Sequence, residues 1–200
     1  MKGYTKPVLL IFFVLLADQI LKTWIKNNMY LGQEFNILGN WFIIHFTENN
    51  GMAFGMEFGG EFGKMFLTLF RIAAVIGIGY SIHYLIQHKY HRGLILNVAL
   101  IFAGAMGNII DSVFYGVIYG YETLLHGRVV DMFYFPLVQG TYPSWVPIWG
   151  GDQFLFFRPV FNLADVAISV GVISILVFQN TYFKEDVVDE VPINNEIVEE

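Results

Sequence analysis

The chain has 200 residues, 56% hydrophobic and 14% charged, with a formal net charge of -6 and no cysteine. Soluble domains carry roughly 25% charged residues, so a fold of this size would lack the polar surface to stay in water, and a soluble globular protein is excluded. The missing cysteine also excludes disulfides, thiolate metal sites and a cysteine nucleophile, and leaves the chain no thiol on which to carry a lipid of its own.

The negative charge is local. Glu185, Asp186, Asp189, Glu190, Glu196, Glu199 and Glu200 close the chain without a basic residue among them. Residues 185–200 have little to bury and read as a solvated, disordered cytoplasmic tail. The body, 1–184, is close to neutral, shows no internal repeat and reads as one domain.

A membrane-crossing helix needs about 20 mostly apolar residues. The first such stretch is about 8–25. Lys2 and Lys6 before it resemble the basic region of a cleaved signal peptide, but Asp18 and Lys22 stand where a small-residue cleavage site belongs. It therefore reads as a retained helix. In the connection that follows, about 26–64, Phe42, Ile44 and Phe46 alternate with Ile43 and His45 as in a strand. Gly55, Gly59, Gly60 and Gly63 then permit tight turns. The second and third helices, about 65–86 and 94–114, are joined by a short turn holding Lys89 and Arg92. The connection 115–159 contains Pro143, Trp145, Pro147 and Trp149, which suit a segment lying at the membrane surface. The fourth helix is expected over about 160–178, with Lys184 after it. Basic flanks mark the cytoplasmic side, so both termini are expected inside and both long connections outside. The expected fold class is a mainly α membrane protein with four transmembrane helices and a small β-containing extracytoplasmic region in the first long loop.

Ionisable groups inside spans cost about 2.5–3.5 kcal/mol each even on lenient scales, and usually mark function. Here they gather at one depth. Asp18 and Lys22 share a face of the first helix, where a packing ion pair is the simpler reading. Arg71 lies near the outer end of the second. Asn108 with Asp111, and Asn162 with Asp165, occupy the outer ends of the third and fourth. The pattern points to a site near the outer surface. Metal chemistry is not expected, because His45, His83, His88, His91 and His126 form no His-Glu-x-x-His arrangement. Ser112 has no lysine or histidine near it in sequence to serve as a base. Carboxylates remain, with Asp111, Asp131, Asp152 and Asp165 as candidates. Two of them in one pocket retain a single proton and hydrolyse a peptide by activating water and protonating the scissile carbonyl. Spacing alone does not choose the two.

Five blocks, in order, carry a family likeness: Asp18-Gln19-Ile20-Leu21-Lys22, Asn49-Asn50-Gly51-Met52-Ala53-Phe54-Gly55, Gly104 to Asp111 (Gly-Ala-Met-Gly-Asn-Ile-Ile-Asp), Val129-Val130-Asp131-Met132-Phe133 and Phe161-Asn162-Leu163-Ala164-Asp165. Together they resemble lipoprotein signal peptidase, the type II signal peptidase of bacterial inner membranes, up to about Phe178. The resemblance implies an aspartic endopeptidase without cofactor or metal, with Asp131 and Asp165 as the catalytic pair. It further implies that Asn49, Gly51, Asn108 and Asn162 line the substrate site, and that Asp18, Lys22 and Asp111 support it. The implied partners are lipid-modified prolipoproteins, cut on the amino side of the lipidated cysteine, and membrane lipid. No nucleic acid is expected, and the enzyme is expected to be a monomer in the cytoplasmic membrane. Two features depart from the family pattern. Ser112 stands where the family usually has arginine, with Arg71, Arg128 and Arg158 as candidates to supply its contact. The segment between Asp131 and Asp165 is also longer, around Tyr142 to Phe157. The rival readings are a small ion- or proton-coupled transporter, which needs polar residues down to the inner face where only Ser81, His83, Asn97 and Ser174 stand, and an assembly factor whose acids only lock packing.

Overall fold

The structure, a computed structural model, describes residues 3–50, 60–136, 138–156 and 160–183. In chain order these form α1 (Thr5–Asn28), β1 (Glu34–Leu38), β2 (Phe42–Asn49), α2 (Gly60–Gln87) and α3 (Arg92–Ile110). A π-helical turn (Asp111–Tyr115) and a single turn α4 (Gly116–Ile118) prolong α3. The strands β3 (Val129–Tyr134), β4 (Val138–Thr141), β5 (Gln153–Phe156) and β6 (Val160–Phe161) follow, then α5 (Leu163–Val177) and α6 (Gln179–Tyr182).

Three helical stretches among the described residues, Thr5–Asn28, Phe62–Gln87 and Arg92–Ile118, are long and apolar enough to cross a membrane. Large apolar side chains such as Phe12, Phe13, Phe66, Phe70, Ile76 and Leu176 point outward. Water would penalise that outward face, whereas lipid accepts it, provided the backbone is satisfied within each helix. The protein is an integral membrane protein. Helix α5 is apolar but only 15 residues long, about 22 Å at 1.5 Å per residue, against a hydrocarbon core of about 30 Å. It also begins later than the expected 160–178 stretch, for a local reason: Val160 and Phe161 pair with β3 as a strand, and Asn162, extended at φ -119°, caps the helix behind them.

Helix α3 is central and packs against α1, α2 and α5. Its inner face is made of small residues, with Ala99 and Ala103 fully buried, as suits helices that gain packing only by close approach in lipid. At Gly104 the approach reaches backbone: a Cβ there would collide with the Ala164 carbonyl oxygen and lie 2.7 Å from Ile168 Cγ1.

The β region differs from the expectation that it lies in the first long connection. One antiparallel sheet, ordered β1-β2-β3-β6, draws two strands from each long connection, and β4 pairs with β5 in a separate hairpin. The π turn helps to bring the second connection back. Carbonyls of Ser112 and Val113 accept from the N–H groups of Gly127 (2.9 Å) and Leu125 (3.1 Å), so the returning chain is laid against the end of α3. Beneath the sheet, Ile25, Met29, Phe46, Tyr115, Val130 and Met132 form a buried apolar cluster.

Gly104→Ala should lower the thermal midpoint in detergent by several degrees, since overpacking costs about 1–3 kcal/mol. Gly77→Ala, where an added Cβ meets nothing within 4 Å, should leave the midpoint unchanged or slightly raised. Equal midpoints for both variants would contradict the packing described.

Candidate active site

Two registers bring the polar residues together. Between Ile44 and Thr47 the pairing of β2 with β3 slips, so that Ile44 faces Phe133 but Thr47 faces Asp131 and Asn49 faces Val129. Without that bulge Asn49 would sit opposite residue 128 and project to the other side of the sheet, because a one-residue slip inverts the face. With it, Asn49 shares the face of Asp131, and its Nδ2 donates to Asp131 Oδ2. On the other flank Phe133 pairs with Phe161, so the chain leaving β6 enters α5 beside Asp131.

Asn162 occupies that junction, wholly buried. Its Oδ1 accepts from Asp165 N (2.9 Å), while its own N–H donates to Asp165 Oδ2 (3.2 Å), a capping box that satisfies the open helix end. The same side chain turns its Nδ2 to Asp131 Oδ1 (2.7 Å), Asn108 Oδ1 (3.1 Å) and the Val130 carbonyl (3.2 Å). Asn108 Nδ2 donates to Asp165 Oδ1 at 2.8 Å. One residue therefore donates to both carboxylates, Asn162 through its side chain to Asp131 and through its backbone N–H to Asp165. Burial first, then the charge of Asp165, push the Asp131 carboxyl up to about 7, against the amides of Asn162 and Asn49 and the charge of Lys22, which act in the opposite direction.

Behind the pair stands a buried ion cluster. Lys22 Nζ, with 0% exposure, reaches Asp111 Oδ2 (2.8 Å), Asp18 Oδ2 (3.0 Å) and Asn108 Oδ1 (2.9 Å). All three ammonium donors are engaged. Asp18 Oδ1 also accepts from Ala164 N at 2.9 Å, tying α1 to the start of α5, and Asp111 Oδ2 accepts from Val130 N at 3.3 Å. Gly107 makes room for this: a Cβ there would lie 2.7 Å from Asp18 Oδ2. The single network reaches from α1 through α3 to β3 and α5.

Of the candidate carboxylates, Asp111 is held by Lys22 and by Gln19 Nε2 (3.1 Å). Asp152 lies exposed in the β4–β5 hairpin, away from the others. Asp131 and Asp165 meet in one hydrogen-bond network through Asn162 and Asn108. Asn49, Asn108 and Asn162 surround them, and Asp18, Lys22 and Asp111 form the layer behind. Gly51, Gly55, Gly59, Arg158, Lys184 and the acidic tail lie outside the described residues. Ser112, buried, back-bonds to Asn108 O at 3.0 Å. Of the arginines proposed to compensate for it, Arg128 faces Glu48 (3.9 Å) and the Tyr121 ring, whereas Arg71 of α2 lies within electrostatic reach of Asp165. No group of histidine, aspartate and glutamate among the described residues is arranged to hold a metal.

Sequence reasoning passed over two contributors. Gln19 donates to Asp18, Asp111 and the Gly107 carbonyl, and accepts from Tyr115 OH at 3.1 Å. Its place inside the Asp18–Lys22 block was the available signal. Lys26 pairs with Glu48 and lies over the Tyr121 and Tyr119 rings at 4.4 and 5.0 Å. It thereby fixes the end of β2 beside α1, and nothing in the local sequence announces it.

Fold and site together define a polytopic helical membrane protein that presents two carboxylates, both hydrogen-bonded to Asn162, at one end of its bundle. Residues 10–181 match the family model described as Signal peptidase (SPase) II, and the chain belongs to that family. Relatives include the lipoprotein signal peptidase of Porphyromonas gingivalis, 50% identical over 84% of this chain and 80% of that protein, and that of Amoebophilus asiaticus, 38% identical over 85% and 75%. A solved bacterial membrane enzyme, 26% identical, superposes with a TM-score of 0.62 over 90% of this chain and 92% of its own. Signal peptidase II is an aspartic peptidase, so the chain is an enzyme of that class.

Two outcomes test the geometry. Carboxyl NMR of the Asp131 side chain should titrate near 7; Asp165→Asn should lower that midpoint by removing a like charge, and Asn49→Ala should raise it by removing a donor. Because the folded value lies above the unfolded one, of about 3.9, the native state holds the extra proton, and this contribution to stability is lost as pH rises through about 7. An ordinary carboxylate midpoint, indifferent to both substitutions, would contradict the coupling. Lys22→Met leaves Asp18 and Asp111 buried without their cation and should destabilise by about 3–5 kcal/mol, measured as thermal unfolding in detergent. Adding Asp111→Asn should recover part of that loss.

Proposed function

We propose that this enzyme removes the signal peptide from diacylglyceryl-modified prolipoproteins, using Asp131 and Asp165 to activate water against the bond on the amino side of the lipidated cysteine. The observation that carries the reading is that both carboxylates accept from Asn162, Asp131 from its side-chain Nδ2 and Asp165 from its backbone N–H, while Asp18 and Asp111 are engaged with Lys22. The charge of Asp165 helps Asp131 to keep its proton, and the pair works with one member ionised and the other protonated. The ionised member takes a proton from water as its oxygen attacks the scissile carbonyl carbon. The protonated member donates to the carbonyl oxygen, giving a tetrahedral intermediate. Collapse of that intermediate returns a proton to the departing amine and regenerates the pair. Asn49, Asn108 and Asn162 hold the carboxylates in place and offer polar edges to the substrate backbone, and the family likeness adds Gly51 to the substrate-site residues. Asp18, Lys22 and Asp111 are the support beneath.

In this reading α1, α2, α3 and α5 are four spans of one peptidase domain, 1–184, in the cytoplasmic membrane, followed by an acidic cytoplasmic tail, 185–200. Cations at the opposite end of the bundle from the carboxylates favour both termini inside and the pair at the outer rim. There the signal helix and acyl chains of the substrate remain in lipid while the scissile bond meets a wet, polar hollow. The short α5 suits this, because its N-terminus opens below the membrane surface, where Asp165 sits.

Full-length enzyme offered a lipidated precursor peptide should cleave it, and Asp131→Asn or Asp165→Asn should each lower the rate by about 10²–10⁴-fold, the usual scale for loss of a general acid or base. A chelator should leave the rate unchanged. Retained cleavage in both variants would remove the pair from the mechanism.

A further inference from the structure

At the far end of the bundle, away from the carboxylates, the first turn of α1, the last turn of α2 and the start of α3 enclose a cavity of about 800 Å³. Its mouth carries Lys6, Lys89 and Arg92, all exposed. Its inner wall is apolar, with Pro7 and Ile95 buried and Ile86 half-buried. The walls are pinned: Tyr4 OH bonds to His83 Nδ1 at 2.9 Å and accepts from Gln87 Nε2 at 3.0 Å, so the start of α1 is tied to α2. His91 is occupied, accepting from Gly93 N at 3.1 Å and stacking on Tyr182 with centroids 5.0 Å apart. Among the described residues no aspartate or glutamate lies at this end; Asp18 of α1 and Asp111 of the π turn belong to the buried cluster at the other.

We propose that this cavity is a binding site for an anionic phospholipid, whose phosphate meets Lys6, Lys89 and Arg92 and whose acyl chains run down the Pro7–Ile86–Ile95 wall. Three cations with no acidic side chain beside them among the described residues call for an anion. The apolar wall continuing into lipid-facing helix calls for hydrocarbon attached to it. A free phosphate satisfies only the first requirement. The acidic tail of the chain satisfies the charge but offers no acyl chain, and it is the competing occupant. Basic pockets at helix ends select anionic headgroups in this way, each cation near the surface contributing roughly fivefold in affinity.

The test uses the full-length enzyme in detergent micelles, titrated with phosphatidylglycerol or phosphatidylcholine of identical chains, with lipid adducts counted by native mass spectrometry. Phosphatidylglycerol should be retained at least several-fold more than phosphatidylcholine. K6Q/K89Q/R92Q should bring the two to parity while leaving peptide cleavage unchanged, which shows that the variant is folded. Excess inorganic phosphate should not displace the lipid. Equal retention of the two lipids by the wild type, or a preference that survives the triple substitution, overturns the proposal. Full displacement by inorganic phosphate assigns the site to phosphate alone and overturns it too. A preference that emerges only when the seven tail acids are neutralised to amides assigns the cavity to the tail, with the same consequence.

Discussion

One side-chain amide holds the polar end of this molecule together. Asn162 closes the N-terminus of α5 with its oxygen and holds Asp131, Asn108 and the Val130 carbonyl with its nitrogen. A helix end in a membrane protein leaves backbone N–H groups that lipid cannot satisfy. The residue that satisfies one of them is therefore also the residue that positions the carboxylates. Removing it would open a helix and separate the pair in a single step, and this couples the chemistry proposed here to the stability of the fold.

The cluster around Lys22 plays a different part. A lysine with no solvent exposure is costly unless its charge is matched and its donors are used, and here both conditions are met by Asp18, Asp111 and Asn108. Its partners come from two helices, and Asp18 reaches on to the backbone of α5. The cluster thus sets the relative depth of the helices on which the site stands. An apolar core of the same size would pack as well but would fix no depth, because apolar faces slide past each other in lipid at little cost. Polar groups at one level fix the register of the bundle, and the opposite end, with its cations and apolar cavity, is left to meet the membrane surface.

The strands do what helices of this bundle cannot. Asp131 follows α3 by some twenty residues, and only the sheet returns it to the end of α5. The bulge in β2 decides that Asn49 faces it, and the pairing of Phe133 with Phe161 decides that Asn162 and Asp165 follow beside it. The π turn at Asp111–Tyr115 makes the return possible, by lending its carbonyls to the chain coming back.

Much of this was legible in the residues alone. Runs of apolar residues marked the helices, since length and hydrophobicity are all that crossing lipid requires, and the i, i+4 and i, i+3 spacings of Asp18 with Lys22 and Asn108 with Asp111 placed polar groups on shared faces. The five motif blocks named the family and singled out the two aspartates proposed as the pair. What could not be read there depends on pairing between distant segments. The bulge register, the sharing of one sheet between two loops, the placing of Lys26 against Glu48 and the delayed start of α5 at Leu163 are set by partners far away in sequence. Local pattern reports what a segment buries; only the assembled chain decides against what.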